Sequence, residues 1–459
     1  MAYCLSVLLI LVNVSLTVAQ PLVFKTDSLM IANFYKQSLE DYQNYNDLYY
    51  LCKSIGGRLA GTENSLKAIQ WLEKTLKFLP LDTVYLQECS VRHWVRGKKE
   101  VCYLETSNGK IELNCCALGT SVGTGPAGIK GKIAIVNSLD EIKTSNYDKY
   151  RGKIVFINKE PEQTFFNTYL SYGSAVNQRV WGAVEAAKAG AIGVIIRSVS
   201  TAKDYYPHTG IMRYIDTLPI LPAIAISTLD ADLLYNACMN DSNITVFYST
   251  DCYESEEVPS YNVVAEIKGY EKPDEIILIA AHLDSWDIGE GAHDDGAGII
   301  HGLGTLRLLR NSDYKPKYTI RFVGFIDEEI AQRGAKKYAQ ITKNKNEKHI
   351  VAIESDEGGF LPLGFSCEVT DTQFQILQRW KKLLEPYGLY AFQKGGGGVD
   401  ISFLKNYGVP QIGLITNSQR YFDYHHSPND VFENVNRREL QLGVAAITSL
   451  IYLIDTYGF

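Results

Sequence analysis

The residues able to do chemistry gather after a series of apolar runs. His282-Leu283-Asp284 follows Ile276–Ala281 directly, and His293-Asp294-Asp295-Gly296 comes soon after in a glycine-rich turn. Asp327-Glu328-Glu329 follows Tyr318–Phe325, and Glu354-Ser355-Asp356-Glu357 follows Ile350–Ile353. His425-His426-Ser427 lies in the loop after Gln411–Ile415. Singly each cluster has a bland reading, such as a polar turn, or an N-cap and dipole partner for paired Asp at a helix start. Together they are poorly explained by independent caps, because every run ends in carboxylates or imidazoles. Imidazole plus carboxylate, without thiolate, suits zinc. Two His with three or more carboxylates exceed what one catalytic zinc uses and fit two ions bridged by a carboxylate, about 3.5–4 Å apart. Such a pair activates water and polarises a carbonyl. A neighbouring carboxylate must then take the water's proton and return it to the leaving amine. Glu328-Glu329 offers one ligand and one base at one place.

These residues need a scaffold that brings strand ends together. After Pro259 strands alternate with helices: Gly298–Leu309, Gly334–Thr342 and Asp371–Leu384 read as helices between the runs above. A last helix carries Leu440, Val444, Ile447, Ile451 and Ile454 on one stripe. This pattern predicts an α/β fold with a doubly wound, mostly parallel sheet, whose ligands sit beyond the carboxyl ends of the strands. Residues 27–80 read as helical, broken at Gly56–Thr62. Residues 119–252 read as a separate β-rich module, with strands at Lys132–Val136, Lys153–Ile157, Ala191–Ile196 and Ile244–Tyr248 around a small-residue helix, Gly182–Ala189. The expected organisation is a leader over 1–19, a catalytic domain split into 20–118 and 253–459, and the module over 119–252.

Composition narrows the classes. A chain of 459 residues, 46% hydrophobic and 21% charged, can build more than one core. The net charge of −7 argues against nucleic acid bound through a general basic surface. Leu5–Val12 is too short to span a bilayer, and Thr17-Val18-Ala19 before Gln20 forms a cleavage signal. A secreted or lumenal protein without stable membrane insertion is expected, since no other apolar run reaches membrane length. Of nine cysteines Cys4 falls in the leader. The absence of a CxxC pair argues against a zinc knuckle. Disulfides suit an oxidising lumen, with Cys238–Cys252 as a candidate pair. Asn240-Asp241-Ser242 and Asn243-Ile244-Thr245 are glycosylation sequons.

Five stretches, Ala281–Asp287, Gly291–Gly296, Glu328-Glu329, Glu354–Asp356 and His425–Ser427, resemble in order the di-zinc exopeptidases that include bacterial leucine aminopeptidases and glutamate carboxypeptidase. Gly182–Lys188 and Pro207–Ile211 extend the likeness outside the catalytic part. The resemblance implies two zinc ions per chain. It makes His282 a ligand oriented by the Asp284 carboxylate, and Asp294 the bridge, with a cis Asp294–Asp295 peptide. It makes Glu328 the general base and Glu329, Asp356 and one of the paired histidines ligands. In this family the ligand His directly precedes Ser or Thr, which favours His426 over His425. The implied activity is hydrolysis of dipeptides or short peptides with free termini, by a carboxypeptidase, dipeptidase or aminopeptidase. The 119–252 module resembles a protease-associated domain that covers the cleft, and relatives suggest a secreted or lysosomal homodimer. Two rivals share the scaffold: a catalytically inactive receptor-like binding protein, and a one-zinc glutaminyl cyclase.

His293 is expected at the rim, His208 as structural, and His93, His301 and His349 as ordinary surface or core residues. Gly395–Gly398 before Asp400 reads as a flexible loop on the substrate side. Ile330-Ala331-Gln332-Arg333, where relatives often carry small residues or Gln-Gly, could reshape the pocket beside the base. No arginine cluster near the motifs supports a glutamate side-chain preference.

Overall fold

The computed structural model describes residues 24–107, 109–241 and 243–459. The expected leader and Ser242 of the first sequon lie outside them. Two eight-stranded sheets organise the chain. The first runs in the order Thr83–Val95, Tyr253–Ile267, Tyr318–Phe325, Lys272–His282, Lys348–Glu354, Gln411–Thr416, Pro362–Glu368, Ala391–Lys394.

Its four central strands, Tyr318–Phe325 to Gln411–Thr416, are mutually parallel. Along Lys272–His282, Ile277, Ile279 and Ala281 enter one core, with helices Ala297–Asn311 and Arg437–Tyr457. Leu278 and Ala280 enter another, with Ala335, Tyr338 and Ala339 of helix Arg333–Lys345. Alternate side chains therefore meet helices on opposite faces, which is why the run is apolar throughout. Parallel pairing also aligns the carboxyl ends: His282 is opposite Phe325, and Glu354 is opposite both Ala280 and Gly413.

The sheet is mixed rather than mostly parallel at its flanks. Tyr253–Ile267 runs antiparallel to both Thr83–Val95 and Tyr318–Phe325, and Pro362–Glu368 runs antiparallel to Gln411–Thr416. The acidic stretch Glu254–Glu257 is exposed along its length. It is strand, with Glu254 and Ser255 opposite Trp94 and His93 and a 2.8 Å Arg92–Glu254 ion pair across the two strands.

The second sheet draws its strands from residues 101–249 and so begins before residue 119. Val101–Thr106 pairs with Thr245–Ser249, and Cys115–Ala117 with Ala223–Ile226. Its centre is parallel, with helices Asn177–Lys188 and Thr228–Asn240 packed against it, so this unit is α/β rather than simply β-rich. Cys238 is half-buried against its core, while Cys252 packs beside Trp94 and Trp286. The pair suggested by the sequence is not formed, and both thiols are free.

Helix Arg437–Tyr457 does reach membrane-crossing length and hydropathy, contrary to expectation. Its apolar window is 83% buried inside the protein, as suits a core helix.

Candidate metal centre

The aligned strand ends deliver the charged residues to one place. His282 closes its strand, and Asp294 and Asp295 occupy the turn before helix Ala297–Asn311. Glu328-Glu329 and Asp356 follow the two neighbouring strands, and His425-His426 follows the short helix Tyr421–Tyr424. His282 Nε2 lies 3.2 Å from Asp294 Oδ1 and 3.4 Å from Asp356 Oδ1. Opposite, His426 Nε2 lies 3.2 Å from Asp294 Oδ2 and 3.1 Å from Glu329 Oε2. The two oxygens of Asp294 therefore face different imidazoles. His425 stacks on His426 at 3.5 Å, with its Nε2 3.6 Å from Asp294 Oδ2. The Asp294–Asp295 peptide is cis.

Crowded acids perturb one another here. Burial, then Asp356 and Glu329, push the Glu328 carboxyl well above its ordinary range. Burial and Asp294 raise Glu329 to about 7. Burial would lower His282, but Asp356 and Asp294 hold it well above the usual imidazole value. Burial would raise Asp294, but hydrogen bonds from His282 and His426 hold it well below. Four carboxylates, Asp294, Glu328, Glu329 and Asp356, thus crowd two imidazoles. Glu329 Oε1 and the Nδ1 atoms of His425 and His426 are buried with no hydrogen-bond partner among the described residues. Such a set is short of positive charge and presents the nitrogen and oxygen donors that divalent zinc takes. Two overlapping groups, His282/Asp294/Asp356 and Asp294/His425/His426, each have ligand atoms within 4.8 Å of one another.

The supporting residues differ partly from expectation. The His282 ring bonds the Asp284 backbone carbonyl at 3.0 Å, while the Asp284 carboxylate lies 3.9 Å away. That carboxylate instead accepts from the Glu328 and Glu329 backbone N–H groups, at 3.2 and 3.4 Å. Asp284 therefore shapes the Glu328-Glu329 turn, and holds the ring through its main chain. Asp295 accepts from the His282 and Gly298 N–H groups. Asp430 accepts from those of His293 and Asp294. Glu354 accepts from three successive N–H groups, Val399, Asp400 and Ile401. A Cβ on Gly398 would lie 2.1 Å from the Glu354 carboxyl carbon, so glycine is required where this loop passes.

Arg58, fully buried, donates to the carbonyls of Leu283, Glu290 and Gly291 at 2.5, 2.7 and 2.9 Å. It staples the loop between His282 and Asp294. Sequence reading took Gly56–Thr62 only as a helix break; no spacing rule links position 58 to position 283. Arg58→Met should lower the denaturant midpoint by the equivalent of about 3 kcal/mol, since three buried carbonyls lose a charged donor. A shift below about 1 kcal/mol in a urea titration would refute that role.

The remaining histidines separate cleanly. His293 is not at the rim. It is buried, stacked on Phe360 at 4.1 Å, with Nδ1 accepting from Gly359 N–H and Nε2 donating to the Asn434 carbonyl. His301 is buried and bonded to Ser355, and His349 to Tyr338. His208 contacts the His425 carbonyl across the boundary between the two sheets' units, a link that no local motif announces.

The profile of peptidase family M28 matches residues 262–451. Carboxypeptidase Q of Bos taurus is 34% identical over 412 residues, covering 90% of this chain and 85% of that protein. A peptidase M28 precursor from Shewanella amazonensis superposes with a TM-score of 0.89 at 34% identity, over 94% of this chain and 97% of that one. A zinc aminopeptidase from Bacillus subtilis shares the fold at 20% identity, with a TM-score of 0.64 over 89% of this chain and 94% of its own. With strand ends, acids and imidazoles arranged as above, this chain is a metallopeptidase and belongs to peptidase family M28.

Proposed function

We propose that the chain is a di-zinc exopeptidase acting on dipeptides or short peptides with free termini. The observation that carries this is Asp294, whose two carboxylate oxygens face His282 on one side and His426 on the other. One ion would be held by His282, Asp294 and Asp356, the other by Asp294, Glu329 and His426. His426 is favoured over His425 because its Nε2 approaches both Asp294 and Glu329. Likeness to carboxypeptidase Q supports the exopeptidase assignment.

Bound there, two zinc ions supply Lewis acidity to the scissile carbonyl and lower the pKa of water. The protein's own part is proton movement and alignment. Glu328 takes a proton from the attacking water at its carboxylate and delivers it to the departing amine nitrogen. Its turn is kept in place by the N–H bonds to Asp284 and by the Gln332 amide, which donates to the Glu328 carbonyl at 2.9 Å. A groove of about 690 Å³ is lined among others by Glu357, Gly395, Gly396 and Thr416 of the catalytic unit and by Phe166 and Tyr169 of the inserted one. The inserted unit, read as a protease-associated domain, would wall the substrate groove on this side, and a short substrate suits such a walled groove. Entry into the secretory route and assembly as a homodimer belong to the same reading.

Product analysis tests it directly. A free dipeptide and tripeptides blocked at either terminus should be cleaved only where the terminus that the enzyme reads is free. Cleavage inside a peptide blocked at both ends would overturn the exopeptidase reading. No zinc-dependent cleavage of any of them would overturn the peptidase assignment of this site.

A further inference from the structure

The inserted unit does more than wall the cleft. Residues 418–430, which carry both histidines, have little regular structure of their own, namely short helical turns at Ser418–Arg420 and Tyr421–Tyr424. The inserted unit grips this segment at four successive points. Ser200 Oγ donates to the Phe422 carbonyl at 2.9 Å, and Thr201 Oγ1 to Asp423 at 2.7 Å. His208 Nδ1–H donates to the His425 carbonyl at 2.7 Å, and Thr209 N–H to the His426 carbonyl at 2.9 Å. Tyr172 stacks on Phe422 at 4.5 Å and meets the His425 ring edge-on at 5.2 Å.

What makes these contacts matter is how each imidazole is aimed. A metal-binding histidine is ordinarily oriented by a hydrogen bond from its other ring nitrogen. His282 has one, to the Asp284 carbonyl. His426 does not: its Nδ1 is buried without a partner among the described residues. Its backbone also sits at φ +60°, a region that non-glycine residues rarely occupy unless held there. The direction of the His426 ring is therefore set through its main chain.

We propose that His208 is a positioning residue for His426, so that the inserted unit completes the half of the centre formed by Asp294, Glu329 and His426. This rests on the reading of His426 as a zinc ligand. Because a carbonyl can only accept, the His208 proton resides on Nδ1. Its Nε2 is buried and unpartnered among the described residues, so there the Nδ1–H bond is the only hydrogen bond the ring makes.

The test compares the full-length wild type with His208→Phe, which fills the space without a donor. It also includes His208→Asn, whose Nδ2 stands as far from Cβ as the imidazole Nδ1. Zinc is titrated into metal-free protein against a chromophoric chelator, with near-ultraviolet circular dichroism of the metal-free forms as the folding readout. Wild type should take up two ions. His208→Phe should keep one at wild-type affinity and bind the other about 10–100-fold more weakly. His208→Asn should return close to wild type. Unchanged affinities in His208→Phe would overturn the proposal, as would equal loss of both ions, an Asn variant as weak as Phe, or a Phe variant that does not fold. A wild type binding zinc at neither position is a different result, and defeats the metal-centre reading itself.

Discussion

Glu328→Gln should bind zinc as wild type does and lose about 10²–10⁴-fold in turnover, the usual contribution of a positioned general base. The amide keeps the side chain's size and its place in the turn held by Asp284, but offers no basic oxygen. Glu328 is also the acid of the cluster for which neither a hydrogen bond nor an ion pair to His282 or His426 is found, unlike Asp294, Glu329 and Asp356, which face the imidazoles at 3.1–3.4 Å. Loss should therefore fall on kcat rather than on zinc content. Single-turnover kinetics with metal analysis on the same preparation separates the two. A zinc-loaded Gln variant that retains substantial turnover would remove Glu328 from the reaction.

Removal of zinc should abolish turnover and reverse the pH dependence of stability on the acid side of neutrality. Without the ions, burial and neighbouring acids raise Glu329, Glu354 and Asp430 each to about 7. Burial acts against protonation of His426, but Glu329 and Asp294 raise it to about 8. A raised folded-state pKa means that the native chain binds more protons than the unfolded one. Stability from these groups is then present at low pH and lost as pH rises through the folded values. The metal-free protein should weaken from about pH 4.5 to 8, the interval between the ordinary carboxylate value and the His426 value. Asp294, held low by its imidazoles, titrates below this window. Zinc competes with the same protons, so its affinity should rise across the same interval. At free zinc 1,000-fold above the dissociation constant, each ion adds about 4 kcal/mol. Melting curves at several pH values, with and without chelator, check both trends. A metal-free protein that gains stability between pH 5 and 8 would contradict the assignment.

Legibility in the sequence tracked the range of the interactions. Central strands announce themselves locally, because burial on both faces demands an unbroken apolar run, and Tyr318–Phe325 and helix Asp371–Leu384 have the bounds that periodicity gives. Flanking strands do not: after Tyr253, Tyr253–Ile267 runs through Glu254-Ser255-Glu256-Glu257, four exposed acidic or polar residues with no apolar alternation to mark them as strand. The second sheet was dated too late along the chain for a related reason. Val101–Thr106 and Cys115–Ala117 join it through partners more than a hundred residues away, except for the hairpin Gly109–Glu112.

At the centre, the clusters around His282, Glu328-Glu329, Asp356 and His425-His426 could be picked out because they come after apolar runs, with Asp294 in the glycine-rich turn between, and parallel strands must bring such ends together; only the family resemblance singled out His426. Chain order alone thus determined which residue types meet, and the class of chemistry they suit. Tertiary structure decided how they are held. Arg58 reaches carbonyls more than two hundred residues onward, and the Asp284 carboxylate serves the Glu328-Glu329 turn rather than the His282 ring. His208 grips the His425 carbonyl from a different sheet's unit. These are hydrogen bonds to backbone groups, which every residue carries alike, so no side-chain pattern in the sequence marks where they will form.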